Sequence, residues 1–138
     1  MADILSVRER SERMSLIQSR GNIDTELALA KMLRRYRITG WRRHLPVFGK
    51  PDFVFQQVRL AVFVDGCFWH GCPRCGHIPK TRRTYWRTKI LRNKRRDRLV
   101  TRTLHRAGWR VIRIWECDLA KHPETCIRRI LEKLRADG

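Results

Sequence analysis

Leu60-Ala61-Val62-Phe63-Val64-Asp65-Gly66-Cys67-Phe68-Trp69-His70 is the stretch on which the reading of the fold turns. Its first half, Leu60 to Asp65, is a short, mostly apolar run that reads as a strand. The second half is a glycine-containing turn holding a carboxylate, two large rings and an imidazole. Rings of that size seldom sit in such a turn for packing alone, and α/β folds present their functional groups at strand ends.

Two more strand candidates lie upstream, Trp41 to Leu45 and Asp52 to Phe55, punctuated by Pro46, Gly49, Pro51 and Gln56-Gln57, so that the three runs read as a meander. Ahead of them a helix is predicted after an N-cap at Asp24. It carries Leu29, Leu33 and Tyr36 on one face and ends near Gly40. Downstream, Thr84 to Ala107 shows Trp86, Ile90, Asn93, Asp97, Val100, Leu104 and Ala107 at steps of four and three, the pattern of one long amphipathic helix. Its other faces are crowded with Arg87, Lys89, Arg92, Lys94, Arg95 and Arg96. Gly108 stops it, Trp109 to Trp115 reads as a buried strand, and Pro123 opens a last helix with Ile127, Ile130, Leu131 and Leu134 inward. Trp41, Trp109 and Trp115 are expected in the core. The order predicts an α/β sandwich, a mixed sheet with helices on its faces. Residues 1–20 read as a polar, arginine-rich arm and 21–138 as a single domain.

The chain has 32 Lys and Arg against 13 Asp and Glu, a net charge of +19, which calls for a polyanionic partner and makes nucleic acid the first candidate. At 42% hydrophobic residues it has enough apolar content to fold. There is no apolar run near the length of a membrane span and no secretory leader pattern, so no membrane is expected and the cytoplasm or nucleoid is the expected compartment. In that reducing setting Cys67, Cys72 and Cys75, crowded into nine residues, point to metal rather than disulfides. Their spacing suits one tetrahedral Zn²⁺, with Cys117 as fourth ligand and His77 as the alternative; Cys126 is expected to be an ordinary buried thiol.

Asp52 opens a strand after Pro51, where a carboxylate in so basic a protein suits a hard Mg²⁺ beside phosphate oxygen, although a turn-forming Asp is the plainer reading. His70 is a candidate general base on water attacking phosphorus, with a zinc ligand or a hydrogen-bonded loop histidine as alternatives. Phe68, Trp69 and Trp86 fit stacking on unpaired bases or wedging between base pairs; core packing is the competing role, strongest for Trp86. Glu26 sits in a first helical turn, where the helix dipole explains it adequately. Asp97 falls on an apolar stripe and needs a partner, for which His70 or a metal-bound water is suited.

The run Val64 to Cys72, the Pro51-Asp52-Phe53 turn, the Asn93 to Asp97 stretch and Trp115-Glu116-Cys117 resemble the very short patch repair (Vsr) mismatch endonuclease family in order and spacing, over about Arg10 to Leu119. The resemblance implies a restriction-endonuclease-like fold of the PD-(D/E)xK type and a Mg²⁺-dependent nick in one strand beside a thymine mispaired with guanine, without a glycosylase step. It implies that Asp52 and the backbone carbonyl of Val64 contact the metal, that His70 activates water, and that Glu26 and Asp97 support the water and metal shell. Phe68, Trp69 and Trp86 match an aromatic wedge, with Met14 of the arm entering from the other groove. Mismatched double-stranded DNA is the implied partner of a monomer, and contacts with repair proteins are left open.

Two departures bear on this. No Lys follows Asp65 at the spacing of the wider nuclease motif, because that position is Cys67. Asp65 itself stands where some members carry another polar or imidazole side chain, and Cys72 where some carry histidine. Whether Asp65 binds metal, orients His70 or ends a strand is open. A restriction-type or structure-specific nuclease of the same fold, and a non-catalytic zinc DNA-binding module, are the rival readings.

Overall fold

The structure, a computed structural model, describes residues 24–74 and 78–135. The arm expected over 1–20, with Met14, and the candidate zinc ligands Cys75 and His77 lie outside those residues.

Helix α1 is described over 24–35. Leu29, Ala30 and Leu33 are buried on its inner face, but Tyr36 stays 43% exposed. Its exclusion is a matter of termination. The chain closes with Ile38 N donating to Leu33 O at 2.9 Å and Arg37 in the left-handed region at φ 56°, so the helix ends before the expected Gly40 and buries Ile38 in Tyr36's stead.

Strands β1 (Arg42–Arg43), β2 (Phe53–Phe55), β3 (Leu60–Asp65) and β4 (Arg110–Trp115) lie in the sheet in that order. The first three form the expected antiparallel meander, and β4 joins β3 in parallel. The first strand is only two residues long against the five expected, since His44 turns away with φ 56°. A parallel pair needs a crossover, and α2 (Arg83–Arg106) supplies it. After β4 come α3 (Glu116–Lys121), which the sequence reading missed, and α4 (Pro123–Arg135).

Strand alternation divides the core into two layers. Leu60, Val62 and Val64 face Leu29, Leu33, Leu119, Ile127 and Ile130, so α1, α3 and α4 cover one side. Ala61 and Phe63 face Val100 and Leu104, so α2 covers the other. In β4 only Ile112 and Ile114 are buried, and the strand is half-covered rather than wholly buried as expected. Trp41, Trp109 and Trp115 are half-buried and do not lie in the core proper. Trp41 packs edge-on against Phe53 at 5.5 Å and donates its indole N–H to Ile38 O. On the α2 side, Asp65 prolongs the row Ala61, Phe63, so a carboxylate is delivered to the seam between sheet and helix.

Candidate active site

At that seam lies a cavity of about 300 Å³ whose walls include Lys50, Asp52, Val64, Asp65, His70, Asn93, Asp97 and Arg113. It is built from the head of β2, the end of β3, the turn after it, the middle of α2 and β4.

Asp52 stands one residue before β2. Its own N–H still donates to Val62 O at 3.0 Å, while its Oδ2 accepts the next donor, Val64 N–H, at 2.6 Å. The carboxylate thus continues the ladder and is fixed against β3. Burial pushes the Asp52 carboxyl up to about 7, and a hydrogen bond with Glu26 and that group's charge add to the effect; Val64 N–H and His44 oppose it. Glu26, buried on α1, is also 3.5 Å from Arg43. Two carboxyls share this buried corner, and Arg43 and His44 do not supply enough positive charge to keep Asp52 ionised at its ordinary pH. The donor set therefore fits a hard divalent cation, which would restore ionisation at Asp52.

Across the cavity His70 Nδ1 lies 2.6 Å from Asp97 Oδ2 and 3.9 Å from Asp65 Oδ1. The imidazole pKa is raised. Burial works against its charge, but the Asp97 hydrogen bond and the Asp65 and Asp97 charges outweigh it. Burial raises the Asp65 carboxyl against the opposing pull of His70 and Arg113. The His70 turn is held in place by Asn93 Nδ2, which donates to Trp69 O at 3.0 Å, and by the close approach of Gly71 to α2. A Cβ on Gly71 would stand 2.9 Å from Ile90 Cγ2, at a φ of +66° that also favours glycine.

On the far side of the turn, Cys67, Cys72 and Cys117 have sulfurs within 4.8 Å of one another. Cys72 Sγ and Cys117 Sγ are 3.7 Å apart, close to the edge of about 3.8 Å that a tetrahedron with Zn–S bonds of about 2.3 Å requires. The three fit a thiolate zinc site. Cys117 is among them, whereas Cys126 is buried elsewhere in the main core, its thiol pushed up by burial. Glu116 braces the group, accepting from Cys67 N–H at 3.5 Å and from Thr25 Oγ1 at 3.4 Å.

Phe68, Trp69 and Trp86 form one cluster, with centroids 5.0 to 5.7 Å apart and edge-to-face geometry. Phe68 and Trp69 are half-buried and Trp86 is 5% exposed, so Trp86 serves as the floor on which the other two rest. Lys89 lies over the Trp69 ring at 5.2 Å.

The structure thus gathers Asp52 and Val64 on one wall, with Glu26 hydrogen-bonded to Asp52, and Asp65, His70 and Asp97 on the other, with the thiols and rings next to the turn between. The sequence reading missed Arg113, Lys50 and Glu116. Arg113 had a signal: a charged residue inside a strand, on the face that an amphipathic helix covers, must find a partner.

The sequence profile of the family described as DNA mismatch endonuclease Vsr matches residues 2–75. The chain is 55% identical over 67 residues to the type II nicking enzyme V.NaeI of Lentzea aerocolonigenes, a match that spans 49% of this chain and 40% of that protein. It is 42% identical to the type II nicking enzyme V.XorIIP of Xanthomonas oryzae pv. oryzae, over 87% of this chain and 88% of that one. With DNA mismatch endonuclease Vsr of Escherichia coli K12 it shares 34% identity, over 97% of this chain and 86% of that one. An α/β sheet with a carboxylate and imidazole cavity and these relatives define a DNA endonuclease. Within that class, the chain belongs to the Vsr family. No helix among the described residues is long and apolar enough to cross a membrane.

Proposed function

We propose that this protein is a Mg²⁺-dependent endonuclease of restriction-endonuclease-like fold that nicks one strand of duplex DNA beside a thymine mispaired with guanine, in very short patch repair. The observation that carries the reading is the 2.6 Å contact of His70 Nδ1 with Asp97, in the wall of a cavity that Asp52 also lines. An ionised Asp97 can only accept, so Nδ1 carries the proton and Nε2 is the basic nitrogen. His70 then takes a proton from the attacking water, and Asp97 stabilises the imidazolium that forms. Bound by Asp52 and the Val64 carbonyl, Mg²⁺ would supply Lewis-acid stabilisation of the charge developing on the phosphate. Glu26 supports Asp52, and Lys50 offers a cation to the phosphate diester at the cavity wall.

Selectivity is assigned to the ring cluster. A mispair stacks poorly and costs less to open than a Watson-Crick pair, and Phe68 and Trp69, resting on Trp86, are suited to wedge there, with Met14 of the arm in the other groove. Zn²⁺ held by Cys67, Cys72, Cys117 and Cys75 would be structural. The protein is read as a monomer acting in the cytoplasm at the nucleoid.

The test is a panel of labelled duplexes carrying each mispair, with Mg²⁺. The expected result is a nick with a 5′ phosphate on T:G DNA and little cutting of paired DNA. Equal cutting of both sinks the mismatch reading, and Asp52→Ala and His70→Ala variants as active as the parent sink the catalytic assignment.

A further inference from the structure

Arg113 contacts both Asp65 and Asp97 in the cavity wall, and the reaction proposed for the site gives it no role. The parallel register sets it opposite Phe63, so its side chain emerges on the α2 side of the sheet beside the row that ends in Asp65. Its guanidinium lies 4.2 Å from the Phe63 ring centroid. Nη1 reaches both oxygens of Asp65, at 3.1 and 3.3 Å. Nη2 donates to Asp97 O at 3.2 Å and Nε to Thr101 Oγ1 at 3.1 Å, one helical turn further along α2. Nη1 is also 3.7 Å from Asp97 Oδ1.

One rigid fork therefore clamps the end of β3 to the middle of α2. The clamp matters because two carboxylates flank a single imidazole N–H: Asp97 at 2.6 Å and Asp65 at 3.9 Å from His70 Nδ1. A ring offered two acceptors on different elements has two orientations available, and only one of them is fixed relative to α2. Arg113 removes the choice. It engages Asp65 with both oxygens and holds the Asp97 backbone in register.

We propose that Arg113 is a positioning residue for the nicking reaction: by binding Asp65 and anchoring Asp97, it makes Asp97 the sole acceptor for His70 Nδ1–H and so fixes the aim of the imidazole. This rests on His70 being the base, as proposed above. It also assigns Asp65 a role, as the carboxylate through which Arg113 ties β3 to the site.

The test compares the full chain with Arg113→Met, which keeps the bulk and loses the fork, Arg113→Lys, which keeps charge without the fork, and Arg113→Met combined with Asp65→Asn. The Nδ1–H proton of His70, assigned through nitrogen-15 NMR at a pH where the ring is neutral, reads the acceptor without any DNA. The parent should show one strongly downfield Nδ1–H resonance, the mark of the short Asp97 bond. Arg113→Met should move it upfield as Asp65 competes for the proton, and the double variant, with the competing carboxylate gone, should return to the parent position. Arg113→Lys should lie between the parent and Arg113→Met, and it carries the test should Arg113→Met fail to fold. On T:G duplex, Arg113→Met should lower kcat by about 100-fold, the scale of a misplaced reacting group, with KM within about twofold. An Nδ1–H resonance unmoved in both single variants overturns the proposal. So does a raised KM with kcat intact, the mark of direct phosphate binding. If the parent does not nick at all, the assignment of function fails, while the NMR comparison still judges the clamp.

Discussion

Gly49 offers the most quantitative handle on how the two walls of the cavity are held together. It precedes Lys50, Pro51 and Asp52, and a Cβ built on it would lie 2.3 Å from Val100 Cγ1, inside any contact distance, with φ at +82°. Val100 is on α2, one turn beyond Asp97, so this bare-backbone contact sets the spacing between the Asp52 wall and the His70 wall. For Gly49→Ala, the left-handed conformation costs an L-residue about 1–2 kcal/mol. Relief of the overlap adds about 1–3 kcal/mol, the usual range for overpacking a core. The variant should be less stable by about 2–5 kcal/mol. Val100→Ala removes both methyls that the new Cβ meets, so in the Val100→Ala background Gly49→Ala should cost only its conformational part, and the two substitutions should couple favourably by about 1–3 kcal/mol. Urea unfolding followed by tryptophan fluorescence measures all four corners of the cycle. T:G nicking should fall about tenfold or more in Gly49→Ala and recover in the pair. Strict additivity, with the double variant less stable than either single one, would refute the claim that this contact spaces the site.

Three further outcomes are expected. In the absence of divalent cations the folded chain keeps a proton on Asp52 up to about pH 7, whereas the unfolded chain releases it near 3.8, so this group's contribution falls as pH rises between those values. Relative to Asp52→Asn, wild type should lose at most about 4 kcal/mol across that window, and Mg²⁺ should raise its Tm at pH 8 but not at pH 5; a flat difference between the two proteins contradicts the buried acid pair. Cys117→Ser should lower both the zinc content and the Tm, and a metal-free chain with an unchanged Tm would remove the zinc site. Asp97→Asn keeps the size but can reverse the donor at Nδ1, so kcat should drop by about 10²–10⁴-fold on T:G duplex at unchanged KM; a loss under threefold would rule out the dyad.

The elements that periodicity marks strongly were legible in the sequence. The 24-residue helix α2 lies within one residue of its predicted ends, and β3 has the bounds read for it. Where local signals compete with tertiary closure they misled. Tyr36 continues the helical pattern on paper, but the Ile38 closure ends the helix beneath it. The six residues of α3 carry too little pattern to be seen and are defined by what Glu116 and Leu119 touch. The site divides in the same way. The thiols stand out by residue type, whereas Asp52 by itself reads more plainly as a turn former and reaches the cavity that His70 lines only through the fold; the structure gathers Cys67, Cys72 and Cys117 without any local signal joining the last to the others. Arg113 could not be paired with Asp65 from sequence, since that contact exists only through the parallel register of β3 and β4.

That register also sets a schedule. Arg113 and Cys117 lie some fifty residues beyond the partners they engage, Asp65 and Cys67, and both come with or after β4. A growing polypeptide on the ribosome presents Asp52, His70 and the rings of the turn well before it presents either. Until β4 docks, Asp65 lacks Arg113 and the other thiols lack Cys117, while most of the chain's basic residues are already synthesised. The cavity wall and the thiol group are therefore completed only late in synthesis, so that a nascent chain of this endonuclease is a strongly basic polypeptide whose candidate site is still unfinished.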